Sequence, residues 1–210
     1  MTSDPIFKGD ERVILVTDYL SQSLSFYDVE FNLIRRFLLP FRPKGVCTFE
    51  DFIVIVDTVN KRIYWYDLEM NMLRNVLLPF SPSGILYIND FYIILDDTNN
   101  NIVYYDTEMN LIRTFNVGVN TRGITRYNDM ILICDTSNDV LLFYDFEMNI
   151  LRRQTFLYEL NGVTRLKEMI LISEAYNTVI YFYDLEFNLL RTEIIDTNLN
   201  ELHTRYFYHE

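Results

Sequence analysis

One nine-residue stretch recurs five times and constrains everything else about the chain. It reads Tyr27-Asp28-Val29-Glu30-Phe31-Asn32-Leu33-Ile34-Arg35 and returns from Tyr66, Tyr105, Tyr144 and Tyr183. Its aspartates stand at 28, 67, 106, 145 and 184, so the step is 39 residues each time, with neither insertion nor deletion. The glutamates (30, 69, 108, 147, 186), asparagines (32, 71, 110, 149, 188) and arginines (35, 74, 113, 152, 191) keep that step. A fixed period of roughly 20–50 residues is the mark of a repeat architecture.

Each unit holds four short apolar segments separated by turn chemistry. In the second unit they cover 52–56, 63–66, 72–78 and 84–88, all rich in β-branched or aromatic residues, as strands are. Glu69, Met70, Met72 and Leu73 favour helix, but the third segment is too short between Asn71 and Pro79 to be one. The stretches 53–56 and 131–134 are apolar at every position, so a sheet containing them must be covered on both faces. Four-stranded antiparallel units, each covered by like neighbours, are the blades of a β-propeller. An open solenoid needs polar end caps, and neither terminal repeat resembles one. The expected fold is therefore all-β: a single five-bladed β-propeller over 1–210, with repeats 12–50, 51–89, 90–128, 129–167 and 168–206.

Residues 12–39 supply only three strands of the first blade. The tail Glu201-Leu202-His203-Thr204-Arg205-Tyr206 resembles the inner segments that begin at Arg122 and Asn161. It is expected to be the missing fourth strand, with its register offset by about one residue. In the Asp-x-Glu-x-Asn hairpins, the asparagine is expected to take the left-handed backbone conformation. Asp57-Thr58-Val59-Asn60 and its counterparts at 96, 135 and Glu174 are expected to cap the turn between the first and second segments.

The repeat resembles the NHL type of propeller repeat, a relative of the YWTD and six-bladed families. The match runs through Pro82-Ser83-Gly84-Ile85, Val56-Asp57-Thr58-Val59-Asn60-Lys61-Arg62-Ile63 and Tyr66-Asp67-Leu68-Glu69. It extends through all five units. The resemblance implies a propeller, and a function of binding proteins, RNA or peptides more often than catalysis. The chain departs from the family in having five units rather than six, and Met or Phe where the hairpin glycine is usual. The basic surface of RNA-binding members is not apparent.

Net charge is −12 and the charges are interspersed, which disfavours nucleic acid as a partner. No apolar run approaches the length of a membrane span and no signal peptide is visible, so a cytoplasmic location is expected. Cys47 and Cys134 lie in apolar segments and read as buried thiols. No histidine, cysteine and carboxylate cluster has metal spacing, no glycine-rich phosphate loop occurs, and no cofactor is expected. The fivefold carboxylates read as turn caps, because a catalytic pair needs two carboxylates in unlike surroundings. The repeated arginines are expected to lie over the aromatics at 26, 65, 104, 143 and 182, or to pair between blades.

Function in a repeat protein belongs where the repeat breaks. Thr48, Tyr87, Arg126 and Arg165 share one position of the inner segments, and with the offset tail Arg205 joins them. Arg126, Arg165 and Arg205, with Arg122 at the rim and Tyr87 and His203 nearby, form the candidate ligand site at the axial channel. An anionic small molecule, glycan acid or acidic peptide would suit it. The reading favoured is a non-enzymatic binding or scaffold module that engages a protein partner. A homomeric structural component of a particle or surface layer is one alternative. A lectin or glycosidase with an axial site is another, although the inner segments of blades two to five offer no carboxylate pair.

Overall fold

The computed structural model describes residues 12–174, 178–195 and 199–206; residue 12 and residues 199–206 are described by their backbone alone. Blade one contributes β1 (Arg12–Asp18), β2 (Ser23–Tyr27) and β3 (Leu33–Leu38). Blade two is β4 (Pro43–Phe49), β5 (Phe52–Asp57), β6 (Arg62–Tyr66) and β7 (Met72–Leu77). Blade three is β8 (Pro82–Ile88), β9 (Phe91–Asp96), β10 (Asn101–Asp106) and β11 (Leu111–Asn116). Blade four is β12 (Thr121–Tyr127), β13 (Met130–Asp135), β14 (Val140–Tyr144) and β15 (Ile150–Thr155). Blade five is β16 (Leu160–Leu166), β17 (Met169–Glu174), β18 (Val179–Tyr183) and β19 (Leu189–Ile194). The last strand, β20 (Leu199–Tyr206), returns to pair with β1 and completes blade one. The result is a five-bladed propeller of four-stranded antiparallel sheets, and the described residues contain no helix.

The alternation of each strand explains how the blades stack. Ile53 and Ile55 join Val13, Leu15 and Phe26 of blade one in one core, while Val54 and Val56 join Ile85, Tyr92 and Ile94 of blade three in the next. All four of these β5 side chains are fully buried. A strand apolar on both sides is thus shared between two interblade cores, which is why it does not read as an alternating sequence. The ring closes where Ile14, Val16 and Tyr27 of blade one pack on Leu171, Ile180 and Phe182 of blade five. The outermost strands β3, β7, β11, β15 and β19 have no outer neighbour, and most of their residues are exposed.

The innermost strands β4, β8, β12, β16 and β20 lie side by side around the axis. Each of β4, β8, β12 and β16 shifts register next to its glycine, as in Thr121–Ile124 against β13. Gly123 has a physical reason to be glycine: a Cβ there would lie 2.7 Å from the Val163 nitrogen and 2.8 Å from the Gly162 Cα of the next blade. Backbone therefore packs on backbone beside the axis.

The tail does not carry the offset expected of it. β1 pairs Ile14 with Thr204 and Val13 with Arg205. The equivalent pairs in blade two are Ile53 with Thr48 and Phe52 with Phe49. Thr204, not Arg205, therefore occupies the position of Thr48, Tyr87, Arg126 and Arg165. The 39-residue step runs unbroken into the last strand, and the local likeness of the threonine-arginine pairs misleads. The side chains of His203 and Arg205 lie outside the described residues.

Candidate functional site

The two faces of the disc are made from different turns. One, the hairpin face, carries the turns between first and second strands (β4 to β5) and the Asp-x-Glu-x-Asn hairpins (β6 to β7). The other, the crossover face, carries the β5-to-β6 turns and the passages to the next blade.

On the hairpin face the repeated aspartates are clamps. In every blade the aspartate accepts the backbone N–H and the side-chain amide of the asparagine four residues on, at 2.7–2.8 Å. These donors, the asparagine side chain foremost, hold the Asp106, Asp145 and Asp184 carboxyls below their ordinary range. The left-handed residue of the hairpin is not the asparagine, as the sequence had indicated, but the residue before it. Phe31, Met70, Met109, Met148 and Phe187 all have φ between 64° and 68°. Each reaches back into the core of the preceding blade: Phe31 meets Phe182 edge to face at 5.4 Å, and Phe187 meets Phe143 at 5.7 Å. The repeated arginines reach forward. Arg74 lies 4.0 Å over Trp65 and donates to the Thr107 carbonyl of blade three, and Arg113 lies 4.1 Å over Tyr104 and donates to the Phe146 carbonyl of blade four.

The axial residues singled out from sequence separate into two groups. Arg126 donates through Nε to the Asn128 carbonyl, and Arg165 donates through Nη1 to the Asn128 side chain at 2.7 Å. These two therefore meet, beside the first-to-second-strand turns of the hairpin face. Arg165 also lies 5.4 Å over Tyr127 and 3.6 Å from Glu168. Arg122 is four residues back along β12 from Arg126, about 13 Å away, on the crossover side of Gly123. Its Nη1 is 3.5 Å from the Asn161 side-chain oxygen, and its buried Nε meets no hydrogen-bond acceptor among the described residues. Tyr87 packs at a tilt against Phe49, with ring centroids 4.0 Å apart, and donates to Asp90; burial first, then that carboxylate, pushes its hydroxyl up to about 12.

Tyr87 leads to a feature that the sequence reading passed over. A recess of about 230 Å³ lies between blades two and three, lined by Phe49, Phe52, Trp65, Leu73, Arg74, Tyr92 and Thr107. Trp65 donates its indole N–H to the Tyr92 hydroxyl at 2.8 Å and meets that ring edge to face at 5.7 Å, closing the back of it. The recess exists because the repeat fails here. The residue after the hairpin aspartate is Val29, Leu68, Phe146 or Leu185 in the other blades, and each packs against an interblade core. In blade three it is Thr107. The residue at the 39-residue step on the neighbouring strand is Ile14, Ile53, Ile131 or Ile170 elsewhere and Tyr92 here. A short polar side chain has replaced the apolar plug.

The hairpin face is also where the charge lies. The hairpin tips and the first-to-second-strand turns carry fifteen carboxylates, among them Asp51, Glu69, Asp90, Glu108 and Glu147, against Arg126, Arg165 and Lys167 and the guanidinium groups of Arg74, Arg113, Arg152 and Arg191 that reach the tips. Most of the excess negative charge of the chain therefore faces one way. Among the described residues no group of histidine, cysteine, aspartate or glutamate is placed to hold a metal ion, and no helix is long and apolar enough to cross a membrane.

No family model matches the chain, and no curated protein matches it. Solved structures do. The chain is similar to a propeller in a nidogen/laminin complex, at 13% identity over 92% of this chain and 98% of that one, with a TM-score of 0.69. It is similar to glutaminyl cyclase of Myxococcus xanthus at 10% identity over 93% and 78%, with a TM-score of 0.63. It is similar to virginiamycin B lyase of Staphylococcus aureus at 14% identity over 87% and 69%, with a TM-score of 0.59. These likenesses establish the β-propeller architecture. They also correct the expectation of a non-enzyme. A lyase and a cyclase are built on the same architecture as the protein of a nidogen/laminin complex, so a propeller of blades gives no ground for excluding catalysis.

Proposed function

We propose that the chain is an NHL-type propeller that serves as a platform for protein partners, which it engages through the hairpin face. The observation that carries this reading is the one-sidedness of the charge. Fifteen carboxylates on one face of a rigid disc create a broad negative field that attracts and orients a cationic surface. The clamped hairpins support it, since each tip packs its Met or Phe into the core shared with the preceding blade and loses little freedom on binding. The propeller of the nidogen/laminin complex supports it as well, as a structure of this architecture found in a complex of proteins.

The glutamates of the hairpins allow a clean test, because the aspartates carry the clamps and Glu69, Glu108 and Glu147 are exposed. Glu69→Lys, Glu108→Lys and Glu147→Lys together reverse three tips. A fluorescent lysine- and arginine-rich peptide should bind the parent chain at low salt and bind the triple variant at least about tenfold more weakly, with the melting temperature unchanged. Equal binding by both proteins, or none by the parent, refutes the reading.

A further inference from the structure

The recess between blades two and three offers an apolar anchor point on an otherwise acidic face, and the same chain carries a segment that complements it. Leu38, the last residue of β3, is 79% exposed. It lies in the sequence between Arg36 and Arg42, both exposed, and no carboxylate occurs between residues 31 and 49. No other stretch of that length in the chain unites so many cations without an acid. This segment leads from the outer edge of blade one onto the crossover face, opposite the recess.

We propose that the recess binds Leu38 of a second copy of this chain, so that molecules associate head to tail, hairpin face on crossover face. The proposal rests on the platform reading and names its partner. A cavity of about 150 Å³ lined by apolar residues accepts benzene, so 230 Å³ takes a leucine side chain with room to spare. The arginines around Leu38 would then meet hairpin carboxylates such as Glu69, Glu108 and Asp90, pairing the most basic stretch of the chain with its most acidic face. Arg74, already over Trp65 and bonded to the Thr107 carbonyl, has N–H groups left for a backbone carbonyl of the incoming segment. Such a contact joins two different patches, so it is heterologous and can propagate along a column. One anchor and a ring of screened charges make it weak, and salt weakens it further.

Two variants separate the halves of the contact. Thr107→Leu plugs the recess with the residue the chain itself uses at Leu68 and Leu185, so it should fold; Leu38→Ser removes the anchor from an exposed position and leaves every charge in place. Trp65 is the only tryptophan and lines the recess, so its fluorescence reports occupancy. The parent chain, followed by sedimentation velocity at low salt, should associate with rising concentration as Trp65 emission shifts. Each variant alone should associate at least about tenfold more weakly, with melting unchanged. An equimolar mixture should recover association but stop at dimers, because only Leu38 of the plugged variant and the recess of the anchorless one are intact. A parent that stays monomeric throughout, variants that associate as it does, or a mixture that recovers nothing would each overturn the proposal. The peptide test above judges the platform independently: a monomeric parent that still binds the cationic peptide sinks this inference and leaves the platform standing.

Discussion

Five aromatic or methionine side chains sit in a backbone conformation that disfavours them, and the blade behind each one explains why. A left-handed residue with a Cβ costs about 1–2 kcal/mol, which glycine avoids. Glycine, however, would leave the preceding blade without the ring or thioether now packed against it. Burial of a large apolar side chain contributes about 1.5–3 kcal/mol when complete, so even the partial burial of these five is of the size needed to offset the strain. The strain is visible in the sequence only as Met or Phe where the resembling family has glycine; that substitution was legible, but its reason lies in a contact with another blade, as between Phe187 and Phe143. The aspartate clamps make the matching prediction. Asp106, Asp145 and Asp184 have carboxyls held below the ordinary 3.8, so their contribution is complete above the unfolded value and is lost as pH falls through the folded one. The melting temperature should therefore drop as pH is lowered from about 5 to about 2.5. In the Asp106→Asn, Asp145→Asn, Asp184→Asn variant the protein should melt lower at neutral pH, and that acid slope should be shallower. An unchanged slope would mean that the clamps are not what acid undoes.

At the scale of the strand, the sequence was most informative where the period is strict. The four segments of each unit, their turns and the share of the tail in blade one all follow from the 39-residue step and the short apolar runs. The register of β20 did not follow, because two adjacent residues, Thr204 and Arg205, imitate the wrong pair of the inner strands and only the pairing with β1 decides between them. The recess was legible in principle: Thr107 stands in a column of Val29, Leu68, Phe146 and Leu185. Attention to the inner strands alone hid it, since it is walled from both blades and its lining is scattered from Phe49 to Thr107 along the chain. The axial grouping held less well to one place, because residues four apart on a strand share a column in sequence but not an end of the channel. The inner strands also permit a sharp test of how closely they meet. Gly123→Ala would force a methyl against the backbone of Gly162 and Val163, and overpacking of this kind costs about 1–3 kcal/mol. Chemical denaturation should register that loss. If the variant is as stable as the parent, the inner strands are further apart than described.

The molecule as a whole is a ring whose charge is turned to one side and whose first and last strands share one blade. In an open array of repeats, a lost terminal unit leaves the rest intact. Here the blades cover one another in a circle, so no unit is terminal. Deleting residues 197–210 removes β20 and bares the edge of β1, whose Ile14, Leu15 and Val16 are fully buried. The shortened chain should melt well below the parent or aggregate, and parent-like melting would show that the last strand closes nothing. The same arrangement has a constructive side. Backbone pairing with β1 does not require that the closing strand be joined to blade five, so a free peptide of residues 197–210 should dock into the vacant slot and restore the melting temperature of the shortened chain. The blade built from the first and last strands is in this sense a latch: a molecule that can be opened, labelled and shut again by one added strand.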